Sequence, residues 1–111
     1  MRKLLLAIFV SASAIGSNLM AQDVEQNQSD AGCDAIGVFA KSAMRARQGG
    51  VPLQTLMANN REIENASTRD LLRTILLDAY AAPVISSDST RQIVITEFQN
   101  LWYLECIKGS Q

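Results

Sequence analysis

Two cysteines constrain this chain more than any other feature of its sequence, because a bond between them would hold distant segments together. Cys33 and Cys106 are the only cysteines among the 111 residues, so a single intramolecular pairing exists. On the chain-entropy model, closing a loop of about 74 residues stabilises a domain by about 4.5 kcal/mol. We therefore expect a Cys33–Cys106 disulfide. Two free thiols or an intermolecular pair are the alternatives.

The N-terminal segment predicts the oxidising compartment in which disulfides persist. Two basic residues precede an apolar run over residues 4–15. Gly16, Ser17 and Asn18 interrupt this run, and Leu19-Met20-Ala21 precedes polar residues. This order is typical of a secretory signal peptide. The run is also shorter than the roughly 20 apolar residues that a spanning helix needs. We predict cleavage near Ala21 and a periplasmic or secreted protein; a retained segment that tethers the chain to a membrane is the alternative.

The rest of the chain has the size of one small domain. Removal of residues 1–21 leaves 90 residues, enough for a single domain. Residues 22–30 are polar and are expected to form a disordered leader, followed by one helical domain over residues 31–111. The mature part carries 8 basic and 11 acidic side chains. This balance disfavours nucleic acid and stable membrane insertion, because polyanions and anionic membranes attract basic surfaces.

Apolar residues recur at helical spacing in the first half of the domain. Ser29 or Asp30 can cap a helix that extends to about Gln48, and Gly49-Gly50 is expected to end it. Pro52 suits the first position of a short helix that follows.

The second half predicts two longer helices. Ser67 begins a capping-box pattern before the most apolar stretch of the mature chain, which Pro83 ends. Ser89 begins a second such pattern, and the helix behind it continues to about Gly109. The β-branched residues 93–96 could form a strand, but the helical spacing continues on both sides, so we favour a helix.

Together these segments predict an all-α fold, a small bundle of three main helices plus one short helix. Cys33 lies in the first turn of the first helix and Cys106 in the last turn of the final one, and both belong to apolar stripes. Since disulfide-bonded Cα atoms lie about 4.4–6.8 Å apart, we expect the first and last helices to pack side by side and antiparallel.

The residues needed for common catalytic chemistry are missing from the sequence. There is no histidine, which removes the usual general base and the commonest metal ligand. Glu97 and Glu105 are eight residues apart, about 12 Å of helical rise, which exceeds the separation of glycosidase carboxylates. We expect no catalytic residue, no cofactor and no metal site; a small enzyme that uses carboxylates alone is the alternative.

Four side chains are candidates for contact with a protein partner. Lys41, Arg45 and Arg47 form a basic cluster that could hold an acidic partner, although such a cluster is also typical of a solvated helix end. Tyr103 points away from the core stripe and is of a residue type that anchors interfaces. Its alternative is a half-buried tyrosine that packs under a loop.

Four short motifs also occur together in the mature chain. They are Arg47-Gln48-Gly49-Gly50-Val51-Pro52, Ala79-Tyr80-x-x-Pro83, Glu97-Phe98 and Tyr103-x-x-Cys106. The combination resembles a loose group of small exported helical proteins of Gram-negative bacteria with one disulfide. The resemblance implies export and brings no activity with it.

These observations favour an exported, non-enzymatic binding or interaction protein whose partner is another protein. A toxin-immunity or enzyme-inhibitor protein and a periplasmic stress holdase are the alternatives within this class. The sequence identifies neither the partner nor the oligomeric state.

Overall fold

The computed structural model describes residues 29–109, and this part of the chain is all-α, with four helices and no strand. The helices are α1 (29–48), α2 (Leu53–Asn60), α3 (Ala66–Ala81) and α4 (Asp88–Gly109). The predicted fold class is confirmed, and the strand alternative for residues 93–96 is wrong. The predicted signal peptide lies outside the described residues, as does most of the predicted leader. The last two leader residues, 29 and 30, are already helical.

The predicted disulfide is present and joins α1 to α4. The Cys33 and Cys106 Cα atoms are 5.5 Å apart, within the usual range. One turn further along α1, Gly37 faces Tyr103, which lies one turn earlier in α4. The two helices therefore pack antiparallel, as predicted. A Cβ atom at Gly37 would lie 3.5 Å from Tyr103 Cβ, an ordinary van der Waals distance, so the two helices are close here although the approach does not require glycine.

The hydrophobic core lies between α1, α3 and α4. Small residues at Ala40, Ala43 and Ala79 let the helices come close, and Ile75 fills the space between them with no exposed surface. Phe98 closes the core from α4. Close packing of this kind makes the core sensitive to any change in side-chain volume.

A hydrogen-bonded joint fastens the C-terminal end of α1 to the connection between α3 and α4. Gln48 is 6% exposed. Its Nε2 donates to the Pro83 carbonyl oxygen at 2.9 Å, and its Oε1 accepts from the Ile85 backbone N–H at 2.8 Å. On the other side of the connection, the Arg91 guanidinium donates to the Ile85 carbonyl oxygen at 3.1 and 3.0 Å. A connection without regular structure is thus held from two helices.

Tyr80 extends this joint to the turn between α1 and α2. Its Oη donates to the Val51 carbonyl oxygen at 2.6 Å, and the Arg47 guanidinium carbon lies 5.5 Å from the centre of its ring. The turn itself depends on Gly50, whose φ of 81° is a conformation that favours glycine. The predicted end of α1 at Gly49-Gly50 is confirmed.

Neither Ser29 nor Asp30 precedes α1 as its cap, because both already belong to the helix. Pro52 stands just before α2 as its N-cap rather than at its first position.

The predicted caps of α3 and α4 are also wrong. Asn65, two residues before Ser67, caps α3, and its side chain accepts from the Thr68 backbone N–H at 2.9 Å. At α4, the Ser87 hydroxyl faces the Thr90 backbone N–H at 3.5 Å, so that α4 begins at Asp88 rather than behind Ser89. In both places a suitable polar residue stands shortly before the expected cap, and asparagine and serine serve equally well there.

Candidate functional site

The outward side of α4 carries an apolar stripe that nothing in the described part of the chain covers. The stripe consists of Ile93, Leu101 and Leu104, whose exposed fractions are 60%, 50% and 52%. Ile93 and Leu104 are eleven residues apart, close to three helical turns, and Leu101 lies one turn before Leu104. We call these three residues the outer stripe.

The outer stripe lies opposite the face that builds the core. Ile95 and Phe98 are buried, and Trp102 packs against the core with its indole Nε1 donating to Asp78 Oδ2 at 3.2 Å. Since α4 is apolar on both faces, its sequence resembles that of a helix enclosed on all sides. The structure encloses only the inner face.

A shallow groove of about 390 Å³ runs along the line where α1 and α4 meet. Asp34 and Val38 line it from α1; Gln99, Asn100 and Tyr103 line it from α4. Gly37 also lines it. The groove borders the outer stripe, so this side of the molecule offers apolar surface next to polar groups.

The structure brings three of the four predicted contact residues to one edge of the molecule. Tyr103 is 38% exposed and packs over Gly37. Lys41 and Arg45 follow Gly37 at intervals of four residues, which places them on the same edge of α1. Lys41 is half-buried and Arg45 is exposed. Their contact with a partner stays a prediction.

Arg47, the fourth predicted contact residue, faces a different part of the structure. Its Nε donates to the Ala82 carbonyl oxygen at 2.9 Å, and its guanidinium lies over the Tyr80 ring. Burial raises the pKa of the Tyr80 phenol, and the positive charge of Arg47 opposes that shift. Arg47 therefore has a structural role in the joint, which the charge pattern alone did not indicate.

A second cavity lies between α1, α2 and α3. It has a volume of about 210 Å³ and is lined mainly by apolar side chains, among them Phe39, Leu56 and Leu76. Asn60, which is 5% exposed, also lines it. The Asn60 Nδ2 donates to the Arg69 carbonyl oxygen at 3.1 Å, whereas its buried Oδ1 has no hydrogen-bond partner.

Across residues 29–109, no three acidic, cysteine or histidine side chains converge into a cluster that could hold a metal ion. The two carboxylates considered for catalysis both belong to α4, and Glu105 faces Lys108 at 3.6 Å on the protein surface. The same range contains no helix whose length and hydropathy would let it cross a bilayer.

No protein-family model, no curated protein and no solved structure shows a significant match to this chain. The surface of the molecule is therefore the basis for a functional proposal.

Proposed function

We propose that this chain is an exported, non-enzymatic protein that binds other protein surfaces through the outer stripe of α4. The observation that carries the proposal is the exposure of Ile93, Leu101 and Leu104 by half or more on one helical face. Exposed apolar residues that share one helical face are typical of an interaction site. Scattered single apolar residues would carry no such meaning.

The polar residues around the outer stripe define what kind of surface it fits. Glu97 lies between Ile93 and Leu101, and Lys108 lies one turn after Leu104. A partner helix would place apolar residues against Leu101 and Leu104. It would place a basic residue against Glu97 and an acidic residue against Lys108. Recognition of a helix by an apolar face with flanking charges is a recurrent mode of binding.

The proposed export follows from the N-terminal pattern together with the Cys33–Cys106 bond. Disulfides persist in secreted and periplasmic proteins and are rare in the cytosol of mesophiles. The small size of the described domain also fits a role in which the protein contributes surface rather than an enclosed pocket.

The test compares three forms of the tagged mature protein under native conditions in extract from its own compartment. The forms are the wild type, the Leu101→Ser/Leu104→Ser double variant, and Leu77→Ser. Leu77 is 45% exposed on α3 and serves as the matched control. We expect the wild type and the control to retain the same protein and the double variant to lose it. Retention that is equal in all three forms would contradict the proposal, as would the absence of any retained protein from a chain that also fails to associate with itself.

The same exposed leucines favour the holdase as a second candidate, because unfolded clients are bound through apolar surface. A holdase would suppress the aggregation of an unrelated denatured protein in proportion to its own concentration. A specific binding protein would leave that aggregation unchanged. Light scattering of a heat-denatured client with and without the mature protein separates the two functions.

A further inference from the structure

We propose that Leu101 and Leu104 of the outer stripe bind a second copy of this chain, with the two α4 helices antiparallel about a two-fold axis at the level between Trp102 and Tyr103. This inference rests on the proposed function, because it names the partner of the same surface. It is carried by the order of apolar and charged residues along the exposed face of α4.

The two leucines are placed symmetrically about that axis. In an antiparallel pair of identical helices, two residues face each other when both are equally far from the axis. Leu101 and Leu104 are each about 2 Å from it along the helix, at 1.5 Å of rise per residue. Leu101 of one copy therefore meets Leu104 of the other, and the two-fold axis creates this contact twice.

The charges obey the same symmetry. Glu97 and Lys108 are each about 8 Å from the axis, so the carboxylate of one copy lies opposite the ammonium of the other. Both side chains belong to exposed residues. The arrangement places two apolar contacts at the centre and two ion pairs at the ends, the order found in protein interfaces with an apolar core and a polar rim.

Lys108 already has an acidic neighbour within its own helix. Its Nζ lies 3.6 Å from Glu105 Oε1, and the side chains of these residues are 63% and 60% exposed. An exposed pair of this type contributes little to stability. Lys108 can therefore turn toward Glu97 of a second copy at small cost, or contact both carboxylates.

The remaining stripe residue lies outside the overlap. Ile93 is about 14 Å from the axis, whereas α4 ends at Gly109, about 10 Å on the other side of it, so no residue of the second α4 helix faces Ile93. The proposed register thus separates the apolar residues of one helix into two that are covered and one that is not. Ile93 is for this reason the matched control for the leucines.

The contact area of two short helical faces predicts a weak dimer, since small interfaces belong to transient complexes. The mature protein is studied by sedimentation velocity over a concentration series that reaches about 1 mM, where even weak affinities become measurable. We expect monomers at the lowest concentrations and dimers at the highest. Leu101→Ser/Leu104→Ser should raise the dissociation constant by at least about 30-fold through lost apolar burial. Ile93→Ser should change it by less than about threefold.

A charge exchange tests the register itself. Glu97→Lys or Lys108→Glu alone places like charges opposite each other twice in the dimer, and each should weaken association about fivefold to tenfold. The double variant Glu97→Lys/Lys108→Glu restores opposite charges and should return to within about threefold of the wild type. Glu105→Gln, which removes only the intrahelical neighbour of Lys108, serves as the control.

Three results would overturn the inference. The first is a protein that stays monomeric throughout the series, and the second is a dimer that Ile93→Ser weakens as much as the leucine changes. The third is a double charge variant that associates no better than the single variants. A monomer whose leucines still retain a different protein from extract would refute the second copy as the partner and leave the proposed function standing.

Discussion

The joint and the outer stripe of this small bundle differ in how completely the protein encloses their side chains. At the joint, both polar ends of the buried Gln48 amide have a backbone partner within 2.9 Å. On the outer stripe, Leu101 and Leu104 remain half exposed. The two regions belong to one domain, and α4 contributes residues to both.

This contrast shows which residues the fold needs and which it leaves free. An unpaired polar group inside a protein costs free energy, so the joint can be changed only at a loss of stability. The half-exposed Leu101 and Leu104 have no such role in the fold, and the proposed binding accounts for their position on one shared face.

Removal of the disulfide should have the largest effect on the inner structure. The Cys33→Ser/Cys106→Ser variant loses a constraint between residues 73 positions apart in the chain. We expect its free energy of unfolding to fall by about 4.5 kcal/mol on the chain-entropy model. Denaturant titration followed by circular dichroism measures the change. A difference below about 1 kcal/mol would mean that the noncovalent contacts between α1 and α4 are sufficient.

Replacement of Gln48 should have the next largest effect. Gln48→Ala leaves the Ile85 N–H and the Pro83 carbonyl oxygen without their partner. We expect a loss of about 2 kcal/mol, the cost of unsatisfied buried groups. Gln92→Ala, on the exposed face of α4, is the matched control and should stay within about 0.5 kcal/mol of the wild type. Equal effects in the two variants would remove the special role of the joint.

Ionisation of the Tyr80 phenol should make the stability of the joint depend on alkaline pH. Burial raises the pKa of its phenol above the unfolded value, so the protonated form is favoured in the folded protein. Its contribution is complete below about pH 10 and is lost as the pH rises through the folded pKa, because the phenolate cannot donate to the Val51 carbonyl. We expect the free energy of unfolding to fall above about pH 10 in the wild type. The fall should be smaller in Tyr80→Phe, which starts about 1 kcal/mol lower.

Thermal unfolding of both proteins between neutral pH and pH 11 would show this difference. Identical pH profiles for the wild type and Tyr80→Phe would contradict a role for the phenol.

Much of the fold was predictable from sequence because local signals agree with one another. The helical spacing of apolar residues indicated the helices, the glycine pair indicated the end of α1, and the positions of Cys33 and Cys106 in the stripes indicated the antiparallel pairing. The caps of α3 and α4 were misplaced because Asn65 and Ser87 stand close before equally suitable residues. Neighbouring polar residues compete for the same backbone N–H groups, and only the path of the chain decides between them.

The joint and the outer stripe could not be predicted because both depend on tertiary placement. Arg47 and Gln48 belong to one motif and Tyr80 to another that is far away in sequence, and nothing local indicates that the two motifs meet. Leucine at positions 101 and 104 is compatible with a core helix, and a helix that is apolar on every side gives no preference between its faces.

The most direct test of the central division is the free energy of unfolding of Leu101→Ser/Leu104→Ser compared with that of Phe98→Ala. Phe98 is 8% exposed on the inner face of α4, and its removal should cost about 3 kcal/mol. The outer double variant should stay within about 1 kcal/mol of the wild type, measured at concentrations where the protein is monomeric. If the outer variant were destabilised as strongly as Phe98→Ala, the outer stripe would belong to the core and could not serve as a free binding surface.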